Sequence, residues 1–386
     1  MLAALLFHLI AIPCFAIQLT ISLPAEGWQH VWKRLPLFFL AWVLFSSLAI
    51  LHIFGHLLDM LIFPGYRKST VRNPVFILGI PRSGTTYLQR RLARIPEFTT
   101  LTTWEALLAP SITEKYLFTL LGKCLLPLEQ GIISIRKKFF HQMDSIHEIR
   151  LQEPEEDFLL LLPVLGCLLP VFACPGSRHF WQLGYFDEKV PERFRKMLMT
   201  YYRTCLQKHL AFHGAHKRLL SKNPSFTSWM GSLFECFPDA RVIACTRPPM
   251  EVIPSQLSSL RPAMTVLGNG RLSLSTQDKL LCVLYNYYQI LTGYYDESRL
   301  LFLPISALRE GSSHTMNSLQ DFLFTDQSAS PLIAEQQNSM RNTYRSNHHY
   351  SLADFGLNEQ EINNRFKPVW PLTGLQKQDA LKNRPD

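Results

Sequence analysis

The sequence predicts an α/β protein with a central parallel sheet, preceded by apolar helices that would anchor it in a membrane. Three observations support this fold class. Short apolar runs alternate with helical patterns from residue 73 onward, two of these runs end in loops suited to anions, and the N-terminus is strongly apolar. Such alternation is typical of parallel sheets covered by helices on both faces, whose ligands bind beyond the carboxyl ends of the strands.

Two long apolar segments occupy the N-terminus. Residues 2–23 are almost uncharged, and a second stretch, 35–62, has no charged residue before Asp59. Each is long enough to cross a bilayer. No basic region precedes the first segment, which favours an anchor over a cleaved signal peptide. We therefore expect membrane-anchor helices in residues 1–64, with both spanning or one spanning and one interfacial. Buried helices of a soluble protein are the alternative.

The rest of the chain predicts alternating elements. Strands are expected at 74–79, 217–221, 241–245 and 299–304. Helices are expected at 84–95, 190–212, 226–236, 249–260, 276–293 and 314–323. The stretch 111–186 is less regular and carries an aromatic, proline-containing segment. We expect it to form an insertion or lid that binds a second substrate.

The stretch 75–88 combines a predicted strand, a glycine-bounded turn and a helix start. The turn runs from Gly79 to Gly84, and the helix is expected to begin at Thr85. The spacing is that of a nucleotide P-loop, except that Thr85 stands where a P-loop has its lysine. Such a turn points backbone N–H groups and a positive helix end at one anionic group. Because the lysine is missing and Arg82 lies inside the loop, the pattern predicts a phosphate-bearing cofactor other than ATP.

A six-residue run in this turn resembles the 5′-phosphosulfate-binding loop of the sulfotransferases: Pro81, Arg82, Ser83, Gly84, Thr85 and Thr86. It is most similar to the branch with arginine in the loop, which includes many bacterial enzymes. The resemblance implies a P-loop-like three-layer fold and 3′-phosphoadenosine 5′-phosphosulfate (PAPS) as cosubstrate. It also implies that the run cradles the 5′-phosphate and sulfonate, with Arg82 neutralising charge that develops during transfer.

A second motif follows the predicted strand 241–245, which ends in Thr246 and Arg247 ahead of a helix. Arg247 and Ser255 match the pair that binds the 3′-phosphate of the donor in the family that the loop resembles. A forked guanidinium grips a phosphate bidentately, and a hydroxyl on the next helix adds a directed hydrogen bond. Taken alone, Arg247 is equally compatible with a surface ion pair and Ser255 with a solvated helix serine.

Two further elements resemble the same family. Lys222 matches a lysine that reaches the bridging oxygen of the sulfate ester, where negative charge accumulates on the leaving group. An exposed loop lysine is the alternative. The tail from Arg341 resembles the segment that closes over the donor, and Arg345 is its candidate donor-binding residue. A plain surface tail is the alternative there.

Sulfuryl transfer needs a base that takes the proton of the acceptor hydroxyl. Glu105 resembles the glutamate base of the arginine-loop branch, and partial burial beside Trp104 and Leu107 would raise its pKa to a useful range. His147 is the second candidate, since the cytosolic branch uses a histidine. A helix-capping glutamate and a structural histidine are the alternatives. The reaction needs no metal, and the sequence presents no convincing metal cluster.

Charge and cysteine content indicate partners and compartment. A net charge of +9 suits a chain that binds PAPS and its product, 3′,5′-adenosine bisphosphate (PAP), near anionic membrane lipid. The basic residues are scattered, so nucleic acid is not expected as a partner. The eight cysteines lack the spacing of a disulfide framework, and Pro224 blocks the only Asn-x-Ser/Thr sequence. We therefore expect a membrane protein whose catalytic domain faces the cytoplasm.

The sequence thus predicts an anchor in residues 1–64 and a sulfotransferase domain in residues 73–386. The domain would move the sulfuryl group of PAPS to a hydroxyl of a carbohydrate, a lipid or another alcohol. A P-loop kinase or other NTPase is one alternative, which the missing lysine disfavours. A catalytically inactive, membrane-anchored binding protein on the same fold is the other.

Overall fold

The computed structural model describes most of the chain. The described residues are 2–23, 31–121, 151–266, 272–294, 297–310, 313–324 and 351–369. His147 and Arg345, two of the predicted site residues, lie outside them.

A five-stranded sheet with strand order β2-β3-β1-β4-β5 forms the centre of the fold. Its strands are β1 (Val75–Gly79), β2 (Phe98–Thr99), β3 (Arg218–Lys222), β4 (Arg241–Thr246) and β5 (Leu300–Pro304). The pairs β1–β3, β1–β4 and β4–β5 are parallel, with Val75 opposite Leu220 on one side and Arg241 on the other. All of β1 is buried, because both its edges are paired and helices cover the sheet on both sides. The predicted fold class is confirmed.

Each helix predicted after residue 73 lies close to an observed α-helix, and the described residues contain six further α-helices that were not predicted. They are α1 (Leu2–Ser22), α2 (Val31–Ile62), α3 (Thr85–Leu92), α4 (Thr103–Leu108), α5 (112–121), α6 (Arg178–Gln182), α7 (Phe186–Lys189), α8 (Glu192–His213), α9 (Met230–Cys236), α10 (Pro249–Val266), α11 (Leu274–Gly293), α12 (Ile305–Glu310), α13 (Ser313–Leu323) and α14 (Glu359–Phe366). The helix predicted at 226–236 begins as a 3₁₀ turn, Pro224–Trp229. The predicted irregular stretch 111–186 contains α5, α6 and further 3₁₀ turns.

The chain divides into two compact units. Unit 1 comprises Met1–Val71, Thr99–Lys217 and Ser259–Ser273. Unit 2 comprises Arg72–Phe98, Arg218–Ser258 and Leu274–Asp386. The core of unit 2 packs apolar residues of β1, β3 and β4 against α3 and α13, with Ile77, Leu88 and Leu319 fully buried.

The two N-terminal helices belong to unit 1. Both α1 and α2 are long and apolar enough to cross a membrane, judged by length and composition alone. They run antiparallel: Phe15 packs on Phe45, with ring centroids 4.6 Å apart, and His8 faces His52. The indole N–H of Trp42 donates to the carbonyl oxygen of Ile12 at 3.2 Å. We call α1 and α2 the N-terminal hairpin.

Candidate functional site

The turn between β1 and α3 depends on a glycine at its start. Gly79 has φ +106°, and a Cβ there would overlap the backbone carbonyl of Cys245 on β4. The N–H of Ile80 donates to that same carbonyl at 2.8 Å. The hydroxyl of Thr227 also holds Gly79, accepting from its N–H at 2.9 Å and donating to its carbonyl at 2.8 Å. The start of the turn is therefore fixed from two sides.

The end of the turn contains two left-handed residues. Arg82 has φ +63°, and Gly84, the N-cap of α3, has φ +84°. Positive φ is unusual for a side chain of arginine's size and marks a constrained backbone. Left-handed residues within a turn direct successive backbone N–H groups inward, and such turns form anion-binding concavities. The positive N-terminal end of α3 adds to the attraction for an anion.

The two predicted phosphate motifs lie side by side in unit 2. The Nε of Arg82 donates to the Ser255 hydroxyl at 3.1 Å, and Nη1 of Arg247 donates to the carbonyl of Arg82 at 2.9 Å. Arg247 also forms an i,i+4 ion pair with Glu251 at 2.9 Å. The hydroxyl of Tyr288 donates to the Arg247 carbonyl at 2.5 Å. Arg82 and Arg247 are far apart in the sequence, yet the guanidinium groups of both are held around the same turn.

Three of the buried polar atoms that lack a partner among the described residues lie at the ends of the three central strands. Ser83 Oγ, Asn223 Nδ2 and Thr246 Oγ1 have no hydrogen-bond partner among the described residues. Ser83 lies in the turn after β1, Asn223 directly follows β3, and Thr246 ends β4. Leaving such an atom unsatisfied costs about 1–3 kcal/mol. Three together, at the edge where parallel sheets bind ligands, indicate a site that is completed by a polar ligand.

Lys222 ends β3 opposite Ile77 of β1, and its side chain is buried. The alternative, that Lys222 is an exposed loop lysine, is therefore wrong. Asn223 and Thr246 were not identified from the sequence as candidate site residues. Their positions carried a signal, because each stands at the carboxyl end of a predicted parallel strand beside a residue already singled out.

Glu105 lies in unit 1, inside a cluster of charged and polar side chains. One carboxylate oxygen accepts from the backbone N–H and the hydroxyl of Thr102, closing a capping box at the start of α4. The other accepts from Lys115 at 2.9 Å and from His213 at 2.5 Å. Glu105 and Lys115 are almost fully buried, whereas the His213 side chain is 33% exposed. Glu105 therefore makes more than a capping contact.

Partial burial was expected to raise the pKa of Glu105, and this expectation is wrong. Burial does act upward, but the hydrogen bond from His213 and the charge of Lys115 outweigh it and hold the pKa well below its ordinary value. Burial in turn lowers the pKa of Lys115, with Glu105 opposing that shift. The carboxylate is consequently anionic and a weak proton acceptor.

The same cluster contains three groups of the kind that bind metals. Ligand atoms of Glu105, His209 and His213 lie within 4.8 Å of one another. Nδ1 of His209 is 3.7 Å from the carboxylate oxygen, while its Nε2 bonds the Thr99 hydroxyl at 2.9 Å. Since Lys115 already donates to that carboxylate oxygen, a cation would have to displace an ammonium group. The spacing of these three residues in the sequence does not predict that they lie together.

The sheet order and the turn after its first strand define a sulfotransferase-like α/β fold, the architecture of a group-transfer enzyme. A family model described as the sulfotransferase family matches residues 74–326, and the chain belongs to this family.

Two of the solved structures that match share this fold. Sulfotransferase STF1 from Mycobacterium tuberculosis H37Rv is similar, with a TM-score of 0.61 and 18% identity over 85% of each chain. Sulfotransferase STF9 from Mycobacterium avium gives a TM-score of 0.66 and 17% identity, over 82% of this chain and 80% of that one. At these identities the likeness shows the fold. No curated protein matches the sequence.

Proposed function

We propose that the protein transfers the sulfuryl group of PAPS to an acceptor hydroxyl and releases PAP. The unpartnered buried atoms Ser83 Oγ, Asn223 Nδ2 and Thr246 Oγ1 are the observation that carries this proposal. They lie in the turn after β1 and at the carboxyl ends of the two strands that flank it, in a chain of the sulfotransferase family. A polyanionic nucleotide would supply the acceptors that Asn223 and the two hydroxyls lack.

The donor-site roles follow the two motifs. Backbone and side-chain donors of Pro81–Thr86 cradle the 5′-phosphate and sulfonate, with Arg82 and Lys222 neutralising charge that develops on the transferred group and the leaving oxygen. Arg247 and Ser255 bind the 3′-phosphate. Arg247 would exchange its pairing with Glu251, which is 48% exposed, for the stronger bidentate contact with a phosphate. Arg345 is proposed to join them from outside the described residues.

The base has two proposed candidates, Glu105 and His147. The low pKa of Glu105 ensures that its carboxylate is ionised at neutral pH but weakens its drive to accept a proton. Comparison of Glu105→Gln with His147→Asn in single-turnover reactions separates them. The variant that retains the wild-type rate excludes its residue as the base.

We propose further that the N-terminal hairpin associates with a membrane and that the catalytic part faces the cytoplasm. The apolar length of α1 and α2 supports the first point. The second is supported by the cysteines of the described residues, which are all unbonded, as expected in a reducing compartment. A membrane-proximal or lipid acceptor hydroxyl is favoured by location alone.

Calorimetry of the full-length protein tests the donor assignment. Titration with PAP should give saturable binding without a divalent cation, whereas ATP with Mg²⁺ should bind far more weakly. The reverse order would favour a kinase or other NTPase. Transfer of labelled sulfate from PAPS to any component of a cell extract, identified by mass spectrometry, then distinguishes an enzyme from an inactive binding protein.

A further inference from the structure

The N-terminal hairpin exposes large apolar side chains and buries several polar ones. Large apolar side chains are exposed along both helices, among them Leu9, Ile17, Phe39, Leu44 and Phe54. In contrast, its polar side chains His8, His52, His56 and Asp59 are all buried. Contiguous exposed apolar side chains mark interaction surfaces, and the length and apolar composition of both helices fit a lipid surface as the occupant. This inference rests on the membrane association proposed above.

One end of the hairpin is joined to the remainder of unit 1 by a buried ion pair and buried hydrogen bonds. Asp59 of α2 contacts Lys208 of α8 at 3.0 Å, and both side chains are fully buried. The same carboxylate accepts from the backbone N–H groups of Ile112 and Thr113 at 2.9 and 2.7 Å, capping α5. His52 contacts Glu114 at 2.7 Å. Such pairs are strongly destabilising to break, so this end of the hairpin is fixed.

The helix α1 also contacts the rest of unit 1 near both of its ends. Near its start, His8 lies 3.3 Å from the hydroxyl of Tyr201, and Phe7 packs on Phe194 of α8. At its other end, Ser22 is buried and its side chain hydrogen-bonds the thiol of Cys174. His8 and Ser22 are separated by about 21 Å along a helix with a rise of about 1.5 Å per residue. The helix therefore rests against unit 1 along its length.

Charged residues lie near both of these contacts. On α8, Glu192 and Lys196 flank Phe194 and form an ion pair in which both side chains are more than half exposed. Beyond Cys174, the side chain of Arg178 is exposed. Exposed charges are excluded from the hydrocarbon core of a bilayer. The unit 1 residues at both ends of α1 must therefore be in contact with water or lipid head groups.

We propose that the N-terminal hairpin lies flat in one leaflet, so that neither α1 nor α2 crosses the bilayer. If α1 crossed, unit 1 would have to extend through the membrane to reach both its ends. Since α2 is antiparallel to α1 and contacts it from Trp42 to His52, α2 lies in the same plane. Exposed Arg67 and Lys68, which follow α2, complement anionic head groups of the leaflet.

Protease accessibility in sealed vesicles tests this arrangement. Full-length protein is added to preformed vesicles of phosphatidylcholine and phosphatidylglycerol and recovered by flotation. One variant carries a thrombin sequence inserted after Gly27, between the helices, and a control carries it after Asp386. We expect both to be cleaved to the same extent in intact vesicles. Cleavage of the control alone, with the Gly27 site protected until detergent is added, would overturn the proposal.

A single substitution provides the second measurement, in case the insertion disturbs folding. Gly27→Cys should gain labelling by a membrane-impermeant maleimide, relative to wild type, equal to that of a cysteine added after Asp386. An absence of any gain would contradict a flat hairpin. Failure of wild-type protein to float with the vesicles would refute membrane association itself, and this inference with it. PAP binding in solution would be unaffected by that result, so the enzymatic proposal is tested separately.

Discussion

The turn after β1 and the cluster around Glu105 are both rich in buried polar groups, but they satisfy them differently. Around the turn, Ser83, Asn223 and Thr246 have polar atoms without partners in the described residues. Around Glu105, both carboxylate oxygens are fully bonded by Thr102, Lys115 and His213. The partners missing around the turn are those that a polar ligand would supply. The Glu105 carboxylate is saturated by the protein itself, although Nδ1 of His209 beside it has no hydrogen-bond partner in the described part of the chain. Substitutions should therefore separate binding effects from stability effects.

The largest expected effect is on stability, at Glu105. Glu105→Gln leaves the Lys115 ammonium buried without its counter-charge, and breaking a buried pair in this way costs about 3–5 kcal/mol. The free energy of unfolding, measured by urea denaturation, should fall by that amount. The double variant Glu105→Gln/Lys115→Met should recover part of the loss. A stable single variant would show that the pair contributes little to stability.

The same pair makes stability depend on pH. The pKa of Glu105 is lower in the folded protein than its ordinary value of 4.5, so its contribution is fully present above that value. As pH falls below 4.5, the unfolded chain binds a proton that the folded protein resists, and the contribution is lost. Wild-type stability should therefore fall more steeply than that of Glu105→Gln in this range. Parallel curves would contradict the low pKa.

Activity should respond most strongly to the turn. Arg82→Ala removes a group proposed to neutralise developing charge, and loss of one such donor typically lowers turnover about 10²–10³-fold. The melting temperature should remain near that of wild type. Arg90→Ala, on the exposed face of α3, is the matched control and should retain activity. Near-normal turnover by the Arg82 variant would reject its assignment.

Thr246→Val tests, within unit 2, the difference between a hydroxyl without a partner and a hydroxyl that bonds the protein. Since its hydroxyl is unpartnered, replacement by an isosteric apolar side chain should leave the ligand-free protein as stable or more stable. PAP affinity should fall by about 1–3 kcal/mol. Thr227→Val is the matched control, because that hydroxyl bonds Gly79 and its loss should destabilise the ligand-free protein. Equal changes in stability and in PAP affinity for the two variants would contradict the distinction between unpartnered and bonded hydroxyls.

The smallest expected effect is at Glu251. Its pairing with Arg247 is partly exposed, and such pairs contribute about 0.2–1 kcal/mol to stability. Glu251→Ala should change unfolding little and should lower the KM for PAPS slightly, because Arg247 no longer has a competing carboxylate. A severalfold increase in KM would instead show that Glu251 positions the guanidinium.

Local patterns predicted the sheet and the glycine-bounded turn after β1, because both depend on short stretches of chain. The apolar runs at β1 and β4, and the glycines around Arg82, are visible without any tertiary information. The surroundings of Glu105 were predicted incorrectly, since Lys115 and His213 reach it from other helices and reverse the expected pKa shift. Pairing of distant charged groups is set by tertiary packing and leaves no periodic signal in the sequence.

The buried carboxylate of Asp59 has a practical consequence. It is an internal part of unit 1, where it caps α5 and neutralises Lys208. A shortened chain that starts after residue 64, designed to remove the apolar hairpin, would therefore lose a helix cap and leave a lysine unneutralised inside the fold. Solubilisation is better sought by replacing outward-facing residues such as Phe39 and Leu44 with polar ones while keeping both helices.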